Sequence, residues 1–128
     1  VKINIINMAT LKPTLTLSST DLASDSLSFS VTDSLTVAEP TVNVSRKSIA
    51  TGSAQSVLAS NSAFSHVFVH CVSSTDAAAF IQIKLGGNAV IKLRVGEFAF
   101  FPLYSGLTVE AEAYTAAAVL EYAQYSNG

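Results

Sequence analysis

The chain has 128 residues, with seven basic and nine acidic side chains giving a formal charge of −2; cations this sparse and scattered do not track a phosphate backbone, so nucleic acid is not an expected partner. Hydrophobic residues make up 49% and charged residues 12%, against about 25% charged in an ordinary soluble domain, with Ser, Thr and Ala filling the difference, and such a surface suits a protein covered by neighbours. Cys71 stands alone, which excludes an intrachain disulfide, and no apolar run reaches the about 18 residues of a membrane helix, so no membrane partner is expected.

Residues 1–13 read as an extended N-terminal arm that ends at Pro13. Ile3 and Ile5 alternate with Asn4, the pattern of an edge strand or of a strand added to a neighbour, and Ile3, Ile5 and Ile6 are interface candidates. Val1 to Asn7 lacks the long apolar centre and small-residue cleavage site of a signal peptide. Met8-Ala9-Thr10 has the form of an initiation site, on which reading the preceding residues would be an upstream extension, or Val1 a non-standard start.

Residues 14–128 read as one domain. In 14–47, apolar residues alternate with Ser and Thr: Leu15 and Leu17, then Leu27, Phe29 and Val31, then Leu35 and Val37, then Val42 and Val44. Period-2 alternation predicts strands with one buried and one wet face. Asp21, Asp25 and Asp33 fall between them in turn-like surroundings, and Ser-Thr-Asp at 19–21, Val-Thr-Asp at 31–33 and Ser-Thr-Asp at 74–76 suggest repeated turn chemistry. Residues 48–63 read as short strands, with 54–62 open to one helical turn instead.

Ser65 to Val72 is apolar on both faces, as in a strand covered on each side. Phe80–Leu85 and Ala89–Arg94, joined by Gly86-Gly87-Asn88, form the clearest hairpin in the chain. Leu93 to Leu103 is the densest run of large apolar side chains, read as two strands meeting at Gly96; burying Phe98, Phe100 and Phe101 would contribute about 1.5–3 kcal/mol each. Val109–Ala113 alternates cleanly, and Ala116–Tyr122 reads as a closing strand. Evenly spaced short strands with turn signals between them predict a β-sandwich or barrel, and the fold class taken is all-β, an antiparallel, jelly-roll-like β-sandwich.

No residue pattern assigns a catalytic, cofactor or metal site. His66 and His70 on one strand face lie about 13 Å apart at 3.3 Å per residue, too far to share a metal. Glu110 and Glu112 are a carboxylate pair of the kind that hydrolyses glycosides, but their strict alternation with Val109, Ala111 and Ala113 fits a solvated strand face better. Either Glu97 or Glu121 could pair across strands with Lys84, Lys92 or Arg94, a contact that more often fixes register or an interface than does chemistry. Cys71, in an apolar run, reads as a buried thiol. Tyr114, Tyr122 and Tyr125 are candidates for a subunit interface, where Tyr is enriched, or for a sugar-binding surface.

The run Gly96-Glu97-Phe98-Ala99-Phe100-Phe101-Pro102, followed by Val109-Glu110-Ala111-Glu112-Ala113 and Ala118-Val119-Leu120-Glu121-Tyr122, resembles small virion structural proteins of tailed bacteriophages. The likeness extends over residues 9–125 in general character and is firmest over 93–122. It implies a non-enzymatic capsid decoration (cement) protein on the capsid surface of the virion, or a small tail component. The implied partners are the major capsid protein and copies of the chain itself, a homotrimer being favoured. It carries no motif with a chemical role, so no functional residue follows from it. The alternative is a tail or fibre-associated structural module, with carbohydrate binding as one option for it.

Overall fold

A computed structural model of the chain describes residues 8–21, 27–38, 42–59, 65–104 and 106–126, and these form twelve strands and no helix. Ile3, Ile5 and Ile6 lie outside the described residues. The chain divides into two compact units at Glu39 and Pro40, and each is described by itself.

The first unit is one long antiparallel ribbon. Strand β1 (Met8–Leu11) pairs with β4 (Leu35–Ala38), and β2 (Thr14–Ser19) pairs with β3 (Leu27–Thr32). The register runs through both ladders unbroken: Met8 faces Ala38, Leu11 faces Leu35, Thr14 faces Thr32 and Ser19 faces Leu27. Between the ladders the Asp33 amide donates to the Pro13 carbonyl at 3.0 Å. Pro13 has no N–H to return that bond, which is why the pairing is interrupted there without losing register.

The second unit holds β5 (Val42–Ile49), β6 (Gln55–Leu58), β7 (Ser65–Ser74), β8 (Phe80–Leu85), β9 (Asn88–Arg94), β10 (Phe98–Leu103), β11 (Val109–Tyr114) and β12 (Ala118–Ser126). They form two four-stranded antiparallel sheets of order β10-β7-β12-β5 and β6-β11-β8-β9, packed as a β-sandwich. Four of the pairs are nested: β8 with β9, β7 with β10, β6 with β11, and β5 with β12. The remaining ladders join β12 to β7 and β11 to β8. This is a long hairpin folded over on itself into two sheets, the wrapping of an eight-stranded jelly roll. Its first strand is β5, so residues 8–38, which pair among themselves, supply no strand to either sheet.

At the innermost point of the nest the chain turns at Gly86 and Gly87, whose φ angles are both positive (59° and 87°). That is the geometry of a type I′ hairpin turn, whose twist matches the flanking strands. A Cβ on Gly86 would also meet Leu107 Cδ2 at 3.0 Å. Gly96 makes the next turn and carries the chain from β9 in one sheet to β10 in the other, with its amide donating to the Cys71 carbonyl at 2.7 Å.

The core comes from the inward alternate positions of both sheets. Ile49, Val67, Val69, Cys71, Leu103, Ala118 and Leu120 meet Leu58, Ile81, Ile83, Leu93, Val109, Ala111 and Ala113. Cys71 is fully buried and its thiol pKa is raised, first by burial and then by the nearby Glu97 charge. The Phe-rich run divides between the faces. Phe101 packs on the core, whereas Phe98 and Phe100 lie on the opposite face of β10 and Phe98 is 62% exposed. A strand cannot bury residues 98, 100 and 101 on one side, because its side chains alternate.

Two turn positions give opposite expectations. Thr115, between β11 and β12, has a φ of 77°, a left-handed conformation costly for a β-branched residue. Thr115→Gly is expected to raise stability by roughly 0.5–1 kcal/mol, relief of the left-handed strain outweighing the added chain entropy. Gly87→Ala is expected to lower it by about 1–2 kcal/mol. Denaturant unfolding midpoints of the two variants, measured beside the parent, check both signs.

Candidate interface surfaces

The outward face of the β10-β7-β12-β5 sheet is built by register. Pro102, His66 and Tyr125 form one row across β10, β7 and β12; Phe100, Phe68 and Ala123 form the next; Phe98, His70, Glu121 and, on β5, Arg46 form the third. Directly opposed residues in an antiparallel sheet share a face, so five rings, His66, Phe68, His70, Phe98 and Phe100, gather on one side. The His66 and Phe100 rings stack with centroids 5.7 Å apart and planes 18° apart, while Phe68 and His70 lie at 6.3 Å and tilted. Tyr125 closes the first row. A sheet face exposed only to water is ordinarily polar, and this one is not.

One carboxylate ties the third row together. Arg46 Nε donates to Glu121 Oε2 at 2.9 Å, and His70 Nδ1 lies 3.3 Å from Glu121 Oε1. The hydrogen bonds from Arg46 and then His70 hold Glu121 below the usual carboxylate range, against a smaller opposing effect of desolvation. Glu121 therefore pairs with residues of its own sheet and not with Lys84, Lys92 or Arg94, as the sequence had suggested. Glu97 also departs from that expectation: its Oε1 accepts from the Arg94 backbone amide at 2.6 Å, closing its own turn. Such choices depend on which strands are neighbours, which the local sequence does not specify.

The outward face of the other sheet is different in kind. Lys84 Nζ donates to Glu112 Oε1 at 3.0 Å, and this bond raises the lysine pKa. Tyr114 stacks on Phe80 at 5.0 Å and donates its hydroxyl to Gln82 Oε1 at 3.1 Å; Lys92 Nζ sits 4.2 Å from the centre of the Phe80 ring. Here charges and rings are paired with one another. Glu110 and Glu112 both point outward, as expected, and Glu112 is held by Lys84.

The three candidate tyrosines are not brought together. Tyr114 lies on this polar face, Tyr122 turns inward and packs on the core, and Tyr125 lies on the aromatic face. His66 and His70 do share a face, with Phe68 between them. Among the described residues no three of His, Cys, Asp and Glu are grouped as metal ligands. The aromatic face was missed by the sequence reading, although its signal was present in the two-sided apolar character of residues 65–72 and in the i, i+2 spacing of Phe98 and Phe100.

The ribbon has two faces of unlike chemistry. Thr14, Thr16 and Ser18 face Thr32, Ser30 and Ser28 on one side, with hydroxyl pairs Thr14–Thr32 at 2.9 Å and Thr16–Ser30 at 3.5 Å. On the other, Leu15 faces Val31, Leu17 faces Phe29, and Leu27 faces Ser19. The same apolar side continues through Leu11 and Leu35 to Val37. Val37 is 4% exposed, while Leu15, Leu17, Leu27, Phe29 and Val31 are 38–50% exposed.

The Glu121 cluster generates a pH dependence. A carboxylate with a depressed folded pKa contributes stability that is complete above its unfolded pKa of about 4.3 and is lost as pH falls from there through the folded value. Thermal unfolding scanned from neutral pH down to about pH 3 is expected to show an acid-side loss that is smaller in Arg46→Met than in the parent. Equal acid-side losses would mean that Arg46 does not stabilise the ionised carboxylate.

The chain matches no protein-family model, no curated protein and no solved structure.

Proposed function

We propose that this chain is a non-enzymatic structural protein of a bacteriophage particle, and that it works as a capsid decoration protein seated on the major capsid protein at the capsid surface. The observation that carries the reading is the aromatic outward face of the β10-β7-β12-β5 sheet. It presents Phe98, Phe100, Phe68, His66 and Tyr125 on a sandwich whose centre is already filled. Aromatic residues are enriched and charge is depleted at the centres of protein interfaces, with polar groups at the rim. Here the rings are grouped on β10 and β7, and the charged pair of Glu121 on β12 and Arg46 on β5 stands to one side of them. The low charge of the whole chain supports the same reading, since a decoration protein spends its working life against other subunits.

Jelly rolls serve in viral capsids and in lectins alike, and the fold by itself does not choose between them. A second reading, a tail or fibre module that binds carbohydrate, is favoured by one detail: Phe98 lies directly opposite His70, in the row that continues through Glu121 to Arg46, and a ring next to a hydrogen-bonding group suits a sugar.

The ratio of this chain to the major shell subunit in purified particles separates these readings. A ratio near one is expected for decoration, a few per cent for a tail component, and absence from particles overturns both. Substituting the exposed ring gives a second check. Phe98→Ser is expected to lower affinity for assembled shells by at least about tenfold, as for a central interface aromatic. Because Phe98 contributes little to the core, its unfolding midpoint is expected to stay within about 0.5 kcal/mol of the parent.

A further inference from the structure

Both histidines of the chain stand on the aromatic face, and His70 is joined there to two charged residues. Glu121 lies between them: its Oε2 accepts from Arg46, and its Oε1 faces His70 Nδ1 at 3.3 Å. An ionised carboxylate can only accept, so Nδ1 keeps its proton whether the ring is neutral or cationic, and the proton that comes and goes is the one on Nε2. The hydrogen bonds from Arg46 and His70 keep Glu121 ionised through the range of about pH 5–8 in which imidazoles titrate. With His70 neutral, Arg46 and Glu121 cancel and the trio has no net charge. With His70 protonated, it carries one positive charge.

The groups around His70 are these. On β10 the residue directly opposite is Phe98, and its neighbour Glu97 turns back to the Arg94 backbone amide. Strand β12 presents Glu121 and, two rows away, Tyr125, which faces His66. Strand β5 presents Arg46. On β7 itself His66 lies two rows away, stacked on Phe100, and Cys71 is buried on the inward side.

We propose that contact with the shell through this face is pH-sensitive, tight when His70 is neutral and weakened when it is protonated, and that Arg46 sets that sign. The partner rests on the decoration reading. Phe98 and His70 are directly opposed, so a subunit that covers Phe98 also strips water from His70 and Glu121, which are partly exposed. Removing water costs an uncompensated charge far more than a compensated pair. The neutral trio is therefore covered at less cost than the cationic one. By linkage, a face that docks best without the extra proton binds more weakly as pH falls. Arg46 determines the direction. Without its charge, a neutral ring leaves Glu121 uncompensated and a protonated ring neutralises it, so docking would take up the proton instead of excluding it.

Titration of the full chain onto particles assembled without it, at about pH 7.5 and about pH 5.5, tests this. The parent is expected to bind about tenfold or more weakly at the lower pH. In Arg46→Met that loss is expected to be smaller by at least about tenfold, or reversed. Effects of pH that arise in the shell or at His66 are common to the two forms and cancel in the comparison. His70→Gln, which keeps a donor for Glu121 but gains no proton, is expected to shrink the loss likewise. Circular dichroism at both pH values establishes that each form is folded. Equal pH ratios in the parent and Arg46→Met overturn the inference and leave the decoration reading standing. A folded parent that binds particles at neither pH overturns both.

Discussion

A β-strand presents its side chains alternately to two sides, and a two-sheet sandwich covers only the inner side of each sheet. The rest of this structure depends on that constraint. Inward positions of β7, β8, β11 and β12 are filled by Val67, Val69, Ile81, Ile83, Val109, Ala111 and Leu120, which exclude water completely. Whatever stands at the alternate positions is turned outward, whether polar or not. On β8 and β11 those positions hold Gln82, Lys84, Glu112 and Tyr114, which partner one another. On β7 and β10 they hold His66, Phe68, Phe98 and Phe100, whose rings form a surface. Geometry makes the two outer faces equivalent, so the difference between them lies in the side chains and points to different surroundings.

The nested pairing gives that surface its stiffness. Gly86 and Gly87 close the innermost hairpin, and each successive pair outward joins residues farther apart in the chain, until β5 meets β12. Contacts this distant are slow to form, because loop closure must precede most of the stabilising burial. Once formed, they hold β7 and β12, the two central strands of the aromatic sheet, between neighbours on both sides and over a shared core. A ring on β7 is thus positioned by residues far from it in sequence, and a rigid platform of this kind loses little conformational freedom when a partner covers it.

Much of this order was legible in the sequence, and the parts that were not share a physical cause. The alternations in 109–113 and 80–85 gave the strands and their faces, and Gly86-Gly87-Asn88 gave the hairpin, because both are local. Two of the three turn echoes were local as well. Ser19 and Ser74 each accept the amide of the aspartate two residues on, at 3.3 Å in both cases. The third echo, ending at Asp33, lies within the ribbon pairing, and its amide goes to Pro13 instead. Nothing between residues 31 and 33 could reveal that, since it depends on a partner strand 20 residues earlier in the chain. The partners of Glu121, the inward turn of Tyr122 and the outward turn of Phe98 were hidden in the same way. Periodicity says which residues share a face; long-range register decides which face is covered.

The placement of charge shows how such a surface avoids indiscriminate association. Four of the seven basic residues stand on edge strands of the sandwich: Arg46 and Lys47 on β5, Lys92 and Arg94 on β9. The third edge strand, β10, carries Pro102, which cannot donate to an added strand, and the fourth, β6, is only four residues long. Basic side chains, proline and shortness are the usual means of blocking strand addition at an open edge. The sandwich therefore resists growing by another strand, while on its aromatic face Phe98 stands exposed. With its edges guarded, face-to-face packing is the open route to assembly, and that mode requires shape and side-chain complementarity where edge pairing would require only backbone. A chain with so little charge needs that selectivity, and the few charges it has are placed where they supply it.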